Sequence, residues 1–126
     1  MMLFYTDQKY PDDCMIACLV MLMERHYTIA FQRLYEAVNR CVNEKREWYT
    51  LIEGWCLANG YQFYWLVKPD EAPKDKLYIA GGASPRPDVP DGHAVVMRNG
   101  ELVHDPHTSR AGLAGPVEEV YWVEKL

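Results

Sequence analysis

The stretch Gln8-Lys9-Tyr10-Pro11-Asp12-Asp13-Cys14 leads straight into an apolar run that ends at Met23. A cysteine at that junction has the makings of a nucleophile. If Asp13 or Asp12 caps a helix here, Cys14 falls in its first turn, where backbone N–H groups are unpaired and the dipole is positive. Both effects favour thiolate, the reactive form. Asp12 and Asp13 act against it, because nearby negative charge raises a thiol pKa. A base that becomes cationic, normally histidine, has to settle the balance. The plainer reading of Cys14 is a small buried hydrophobe, since free cysteines are among the most buried residues. Cys18, Cys41 and Cys56, on helical segments, are read as core.

Of the four histidines, His26 follows the first helix and lies more than about ten ångströms along its axis from Cys14, at about 1.5 Å per residue. It is read as a helix-end or surface residue. His93 opens a predicted strand after the loop Ser84–Gly92, which carries three prolines and is read as a rigid connector or a flap beside a cleft. Asp105 ends the next strand, and Asn99-Gly100 between them is a strong hairpin signal. A two-residue turn pairs His93 with Pro106 and turns Asp105 to the opposite face. A three-residue loop, Arg98-Asn99-Gly100, pairs His93 with Asp105, where a carboxylate would fix the imidazole tautomer and stabilise its cation. A Cys-His-Asp triad therefore calls for the three-residue loop; otherwise His93 and Asp105 are a polar pair at a strand end. Gln8 could add an amide donor to the Cys14 backbone N–H for an oxyanion, or simply be solvated.

The elements that must position these residues read as helices first and strands second. Residues 14 to about 25 are apolar nearly all round, a helix buried on every side. Phe31, Leu34, Tyr35 and Val38 mark one face of a second helix over about 29–41. Thr50-Leu51-Ile52-Glu53 opens a third with a capping-box pattern, closed at Asn59-Gly60. Strands follow at 61–67, 77–80, 93–97, 102–105 and 120–123. Gly81-Gly82 is read as a structural turn rather than a cleavage site. Trp48, Trp55, Trp65 and Trp122 are read as core or cleft wall. The expected fold is α+β in one domain over 1–126: a helical half, 1–60, packed on a mostly antiparallel sheet half, 61–126.

Composition is ordinary for a globular chain of 126 residues, with 49% hydrophobic and 25% charged residues. The net charge of -5 and the lack of a basic stripe argue against nucleic acid and against an anionic membrane surface. The four cysteines form no CxxC pair, and the start lacks a basic signal-peptide region, so a reduced, cytoplasmic setting is expected. His104 and His107 flank Asp105, but two histidines and a carboxylate on one short segment are weak grounds for a metal. No cofactor is expected.

The pattern of Gln8, four residues, Asp13-Cys14, then Ala17-Cys18-Leu19 resembles the opening of C39-like cysteine peptidases. These are a branch of the papain-like superfamily that includes bacteriocin-processing, double-glycine-cleaving domains. The downstream GHAVVMRNGELVHDP, with His93 and Asp105-Pro106, is similar to that family's second motif. The resemblance implies a papain-like fold, Cys14 as nucleophile, His93 as general base and acid, Asp105 as orienting carboxylate and Gln8 as oxyanion donor. It implies a peptide or protein substrate, with the Gly-Gly tail of a ubiquitin-like protein as one candidate. The compact form also resembles phage or mobile-element proteins. The chain departs from the family at Met15, which stands where the family has glycine, and in its short His-to-Asp interval. Met15 favours a rival reading, an inactive peptide-binding module; a third is an amidase or acyltransferase acting on a non-protein substrate.

Overall fold

A computed structural model describes residues 5–10, 12–40, 45–86 and 92–126. Pro11, Cys41 and most of the proline-rich loop before His93 lie outside the described residues. Among the described residues three α-helices come first: α1 (Cys14–Leu22), α2 (Ile29–Asn39) and α3 (Lys45–Ala58). Strands β1 (Tyr61–Val67), β2 (Tyr78–Gly82), β3 (His93–Arg98), β4 (Glu101–His104) and β5 (Glu119–Lys125) form one sheet in the order β1-β5-β2-β3-β4. Every pairing is antiparallel. The fold is α+β, as the order of patterns in the sequence implies.

Period-2 alternation sorts the strand residues into two cores. On one face Phe63, Ile79, Ala94, Val96, Tyr121 and Val123 meet the helices. Between them lies α1, whose residues from Ile16 to Met21 are all buried. Taking the larger of these, Ile16, Leu19, Val20 and Met21, from water is worth about 1.5–3 kcal/mol each, which explains an all-apolar helix in the middle of the molecule. On the other face Tyr78, Ala80, Val95 and Val120 pack with Leu113, Val117 and Trp122. Trp48, Trp55 and Trp65 pack against the helical core. The buried Cys18 and Cys56 also belong to it.

Several expectations need correction. Helix α1 stops at Leu22, three residues early. Arg25 N–H donates to the Val20 carbonyl and Glu24 N–H to Met21, with Glu24 at φ 55. That is a Schellman ending whose left-handed residue is a glutamate rather than glycine. Helix α3 spans Lys45–Ala58 and so does not open at Thr50; the Thr50 hydroxyl donates to the Arg46 carbonyl inside the helix. The local back-bond available to a mid-helix threonine imitates a cap signal. Gly81-Gly82 is no turn: both lie in β2, paired with Ala94 and His93. A Cβ on Gly81 would meet Glu119 Oε1 at 2.7 Å, and one on Gly82 the Pro116 carbonyl at 2.9 Å. Close approach by neighbouring groups explains both glycines.

Among the described residues no helix is long and apolar enough to cross a membrane.

Candidate active site

Cys14 is the first residue of α1, half-buried, with Asp13 at the N-cap position. The expected cap bond is missing: no side chain caps this helix. The Asp13 carboxylate, 1% exposed, turns back and accepts from Lys9 N–H at 3.0 Å, Tyr10 N–H at 3.1 Å and Tyr27 O–H at 2.7 Å. Asp13 therefore organises the segment before the helix and does not fill the donors at its tip. Of the first-turn N–H groups, that of Met15 lies against the sulfur. Met15 N–H and, from strand β3, Ala94 N–H both favour the Cys14 anion, as does the charge of Arg86. Burial outweighs them, with Asp13 adding to it, so the thiol is pushed up. At rest Cys14 is an SH group.

Ala94 is the residue next to His93, so α1 delivers the sulfur to the start of β3. Gly92, at φ +92, makes the turn into that strand, and a Cβ there would meet the Gly82 carbonyl oxygen at 2.9 Å. His93 Nε2 lies 2.7 Å from Asp105 Oδ1, and the two side chains are 0% and 1% exposed. Because an ionised carboxylate only accepts, Nε2 carries the proton and Nδ1 offers a lone pair. Asp105 accepts two further bonds, from His107 N–H at 2.9 Å and Gly112 N–H at 2.7 Å. Burial raises the Asp105 pKa, but these three donors together outweigh it, and the net shift is downward. For His93, burial lowers the pKa, Asp105 raises it, and Arg86 and His107 lower it; the net direction is down. The resting pair is neutral thiol and neutral imidazole, not a thiolate–imidazolium pair. Among the described residues no hydrogen bond joins Cys14 to His93, and Arg86 Nη2 is a partner of Nδ1 at 3.5 Å.

The hairpin reaches the His93–Asp105 pairing by a route other than the expected one. Arg98 pairs with Glu101, so the turn has two residues, Asn99 (φ 50) and Gly100 (φ 80). This corrects the three-residue loop. The ladder then slips: Met97 faces Leu102, but Val96 faces His104. The extra residue is a β-bulge, and one inserted residue swaps the faces of everything beyond it. The last ladder pair is Val96–His104, and Asp105 meets His93 just beyond it. A two-residue turn and a bulge in β4, rather than a longer turn, precede the His93–Asp105 contact.

Gln8 reaches the same end of the hairpin through its backbone N–H, which donates to the Pro106 carbonyl at 2.9 Å. Its side-chain Nε2 donates to the Tyr10 carbonyl at 2.7 Å. One of the two N–H donors of the amide is thereby used within the segment that Asp13 holds. Nearby, Arg110 forms a fork on Asp7 and also donates to the Asp105 carbonyl at 2.6 Å. The His104 ring faces the Thr6 carbonyl and Asp7, each at 3.1 Å, and His107 meets Ser109. Among the described residues no three histidine, cysteine or acidic side chains gather as a metal site. His26 is exposed beyond the end of α1.

Sequence reasoning missed the anchoring role of Asp13 and Tyr27, and it missed Arg86. A lone arginine between two prolines, a few residues before His93, was the available signal for the latter.

No family model, no curated protein and no solved structure matches this chain.

Proposed function

We propose that this protein is a small cysteine peptidase of papain-like architecture, cleaving a peptide or isopeptide bond. The observation that carries the proposal is the buried His93–Asp105 pair at the start of β3, with the Cys14 sulfur against the N–H of the adjoining residue. In this reading the scissile carbonyl sits over Cys14, its oxygen toward the uncapped first-turn N–H groups of α1, with Gln8 as a further donor. Cys14 passes its S–H proton to His93 Nδ1 as the sulfur–carbon bond forms. His93 then protonates the amine as the carbon–nitrogen bond breaks, leaving a thioester. Water, deprotonated by His93, attacks that thioester, releasing the acid and restoring the thiol. Asp105 holds the imidazole with Nδ1 toward the sulfur throughout. The Gly-Gly tail of a ubiquitin-like protein is a substrate consistent with the family resemblance. A reduced, cytoplasmic setting suits a free nucleophilic thiol.

The raised thiol pKa and the engaged Nδ1 favour a second reading, a peptide-binding module on the same scaffold. Met15, half-buried against the core beside the nucleophile, points the same way. A peptide bearing a thiol-directed electrophile, applied at pH 7 and located by peptide mapping, separates the two. The peptidase reading expects selective modification of Cys14, slowed about a hundredfold or more in His93→Ala, the usual worth of a general base. Modification that His93→Ala leaves unchanged, or none, supports the binding module. If labelling is selective, amide and ester substrates without a peptide bond then test the amidase or acyltransferase reading.

A further inference from the structure

Arg86 stands in the site, and this mechanism leaves it idle. Its Nη2 lies 3.5 Å from His93 Nδ1, a bond at the long limit and easily exchanged. Its charge also acts on Cys14, so the guanidinium stands near both nucleophile and base. Its Nη1 is buried and has no hydrogen-bond partner. The ion pairs among the described residues join other groups, and none gives Arg86 a carboxylate. The carboxylate of Asp105 is already met by three donors. A buried donor of a charged group that goes unmet is costly. The fork geometry of guanidinium matches a carboxylate with two parallel bonds.

We propose that Arg86 is the specificity-determining residue of this site, reading a carboxylate carried by the substrate peptide next to the scissile bond. This rests on Cys14 being the nucleophile. With no substrate bound, Arg86 occupies His93 Nδ1 and holds the base out of use. A substrate carboxylate offers both Nη atoms a better acceptor than a neutral imidazole lone pair, and draws the guanidinium off. Nδ1 is then open to the Cys14 S–H. Recognition and activation become one event, and a peptide without an acidic group at that place engages the base poorly. The acidic group is an aspartate or glutamate side chain or a free terminal carboxylate; the chemistry recognised is the same.

Iodoacetate and iodoacetamide alkylate a thiol by the same displacement and differ by one negative charge, so their rate ratio at Cys14 reads this guanidinium without a known substrate. Alkylation of Cys14 in the full chain is followed by peptide mapping at pH 7.5. The ratio of iodoacetate to iodoacetamide rates is expected to fall about tenfold in Arg86→Gln, the effect of one charge-assisted hydrogen bond. Arg86→Lys, which keeps the charge, is expected to retain part of the preference. In the unmodified protein, raising the salt is expected to slow the iodoacetate reaction and spare the other, which needs no variant to fold. Acidic and neutral versions of one peptide electrophile should show the same split. A ratio unchanged in Arg86→Gln, or insensitive to salt, overturns the role of Arg86 while leaving Cys14 chemistry intact. Cys14 inert to both reagents overturns this inference and the peptidase reading together.

Discussion

Asp105 ties three pieces of chain to one carboxylate: the imidazole of His93 and the backbone N–H groups of His107 and Gly112. Asp105→Ala leaves those two N–H groups unmatched as well as freeing the ring. We expect a loss of stability on the order of 2–3 kcal/mol, measured by denaturant unfolding, with slowed Cys14 labelling. The proton affinities add a second expectation. Cys14 is raised above its ordinary 9.0 and His93 lowered below 6.5. Alkylation of the free protein by a neutral reagent should therefore keep rising with pH through 9. A rate already level by pH 6 would indicate a resting ion pair and contradict the neutral assignment. Stability follows the same shifts. The folded form takes up protons at His93 less readily than the unfolded chain. The stability this group gives is thus present above pH 6.5 and is lost as pH falls toward its lower folded value. Asp105 extends the loss below pH 3.8. The fall in unfolding midpoint from pH 7.5 to 5.5 should be shallower in His93→Gln; an equal slope would contradict the direction given for His93.

The elements carry these groups by small departures from regularity. Gly92 enters β3 in the left-handed region under a carbonyl 2.9 Å from where a Cβ would stand. Gly92→Ala is expected to strain the backbone by about 1 kcal/mol or more and to shift His93. It should lower both the melting temperature and Cys14 labelling, whereas Gly100→Ala, remote from the site with nothing near its Cβ position, should lower only the first. The β4 bulge shows why residue types were easier to read than their route. The sequence pattern marks His93, Asp105 and the Asn99-Gly100 turn, yet valines on both faces of β3 and a valine in β4 leave the register open. The slip at Met97/Val96 leaves no local chemical sign. The end of α1 was hidden for a similar reason, since Glu24 does there what glycine ordinarily does. Asp13 next to an apolar run reads as a cap, and only the fold shows its carboxylate bound to Lys9, Tyr10 and Tyr27. Tyr27→Phe removes one of those bonds, and a cost of about 1 kcal/mol is expected.

At the scale of the molecule, a helix apolar on all sides fixes the site by having only one place to go. It packs between the sheet and the other two helices, and its N-terminal sulfur arrives at the edge where β3 begins. The helices-then-strands order was plain in the sequence, because the hydrophobic period changes at Gly60 and the aromatic, β-branched strands follow. What composition could not supply was Arg86, a group whose meaning is spatial: its neighbours in sequence are prolines, while its neighbours in space are Cys14 and His93. Arg86 lies at His93 Nδ1, and the Cys14 and His93 shifts run in the directions that keep both groups neutral.

The measurement that bears most directly on that picture is a crystal structure of the protein alkylated at Cys14 by a peptide chloromethyl ketone with an acidic residue beside the reactive carbon. In that structure His93 Nδ1 is expected within about 4 Å of the sulfur. The carbonyl oxygen is expected at the first-turn N–H groups of α1, with Arg86 moved onto the peptide carboxylate. An imidazole still held by Arg86 and turned away from the modified sulfur would contradict it.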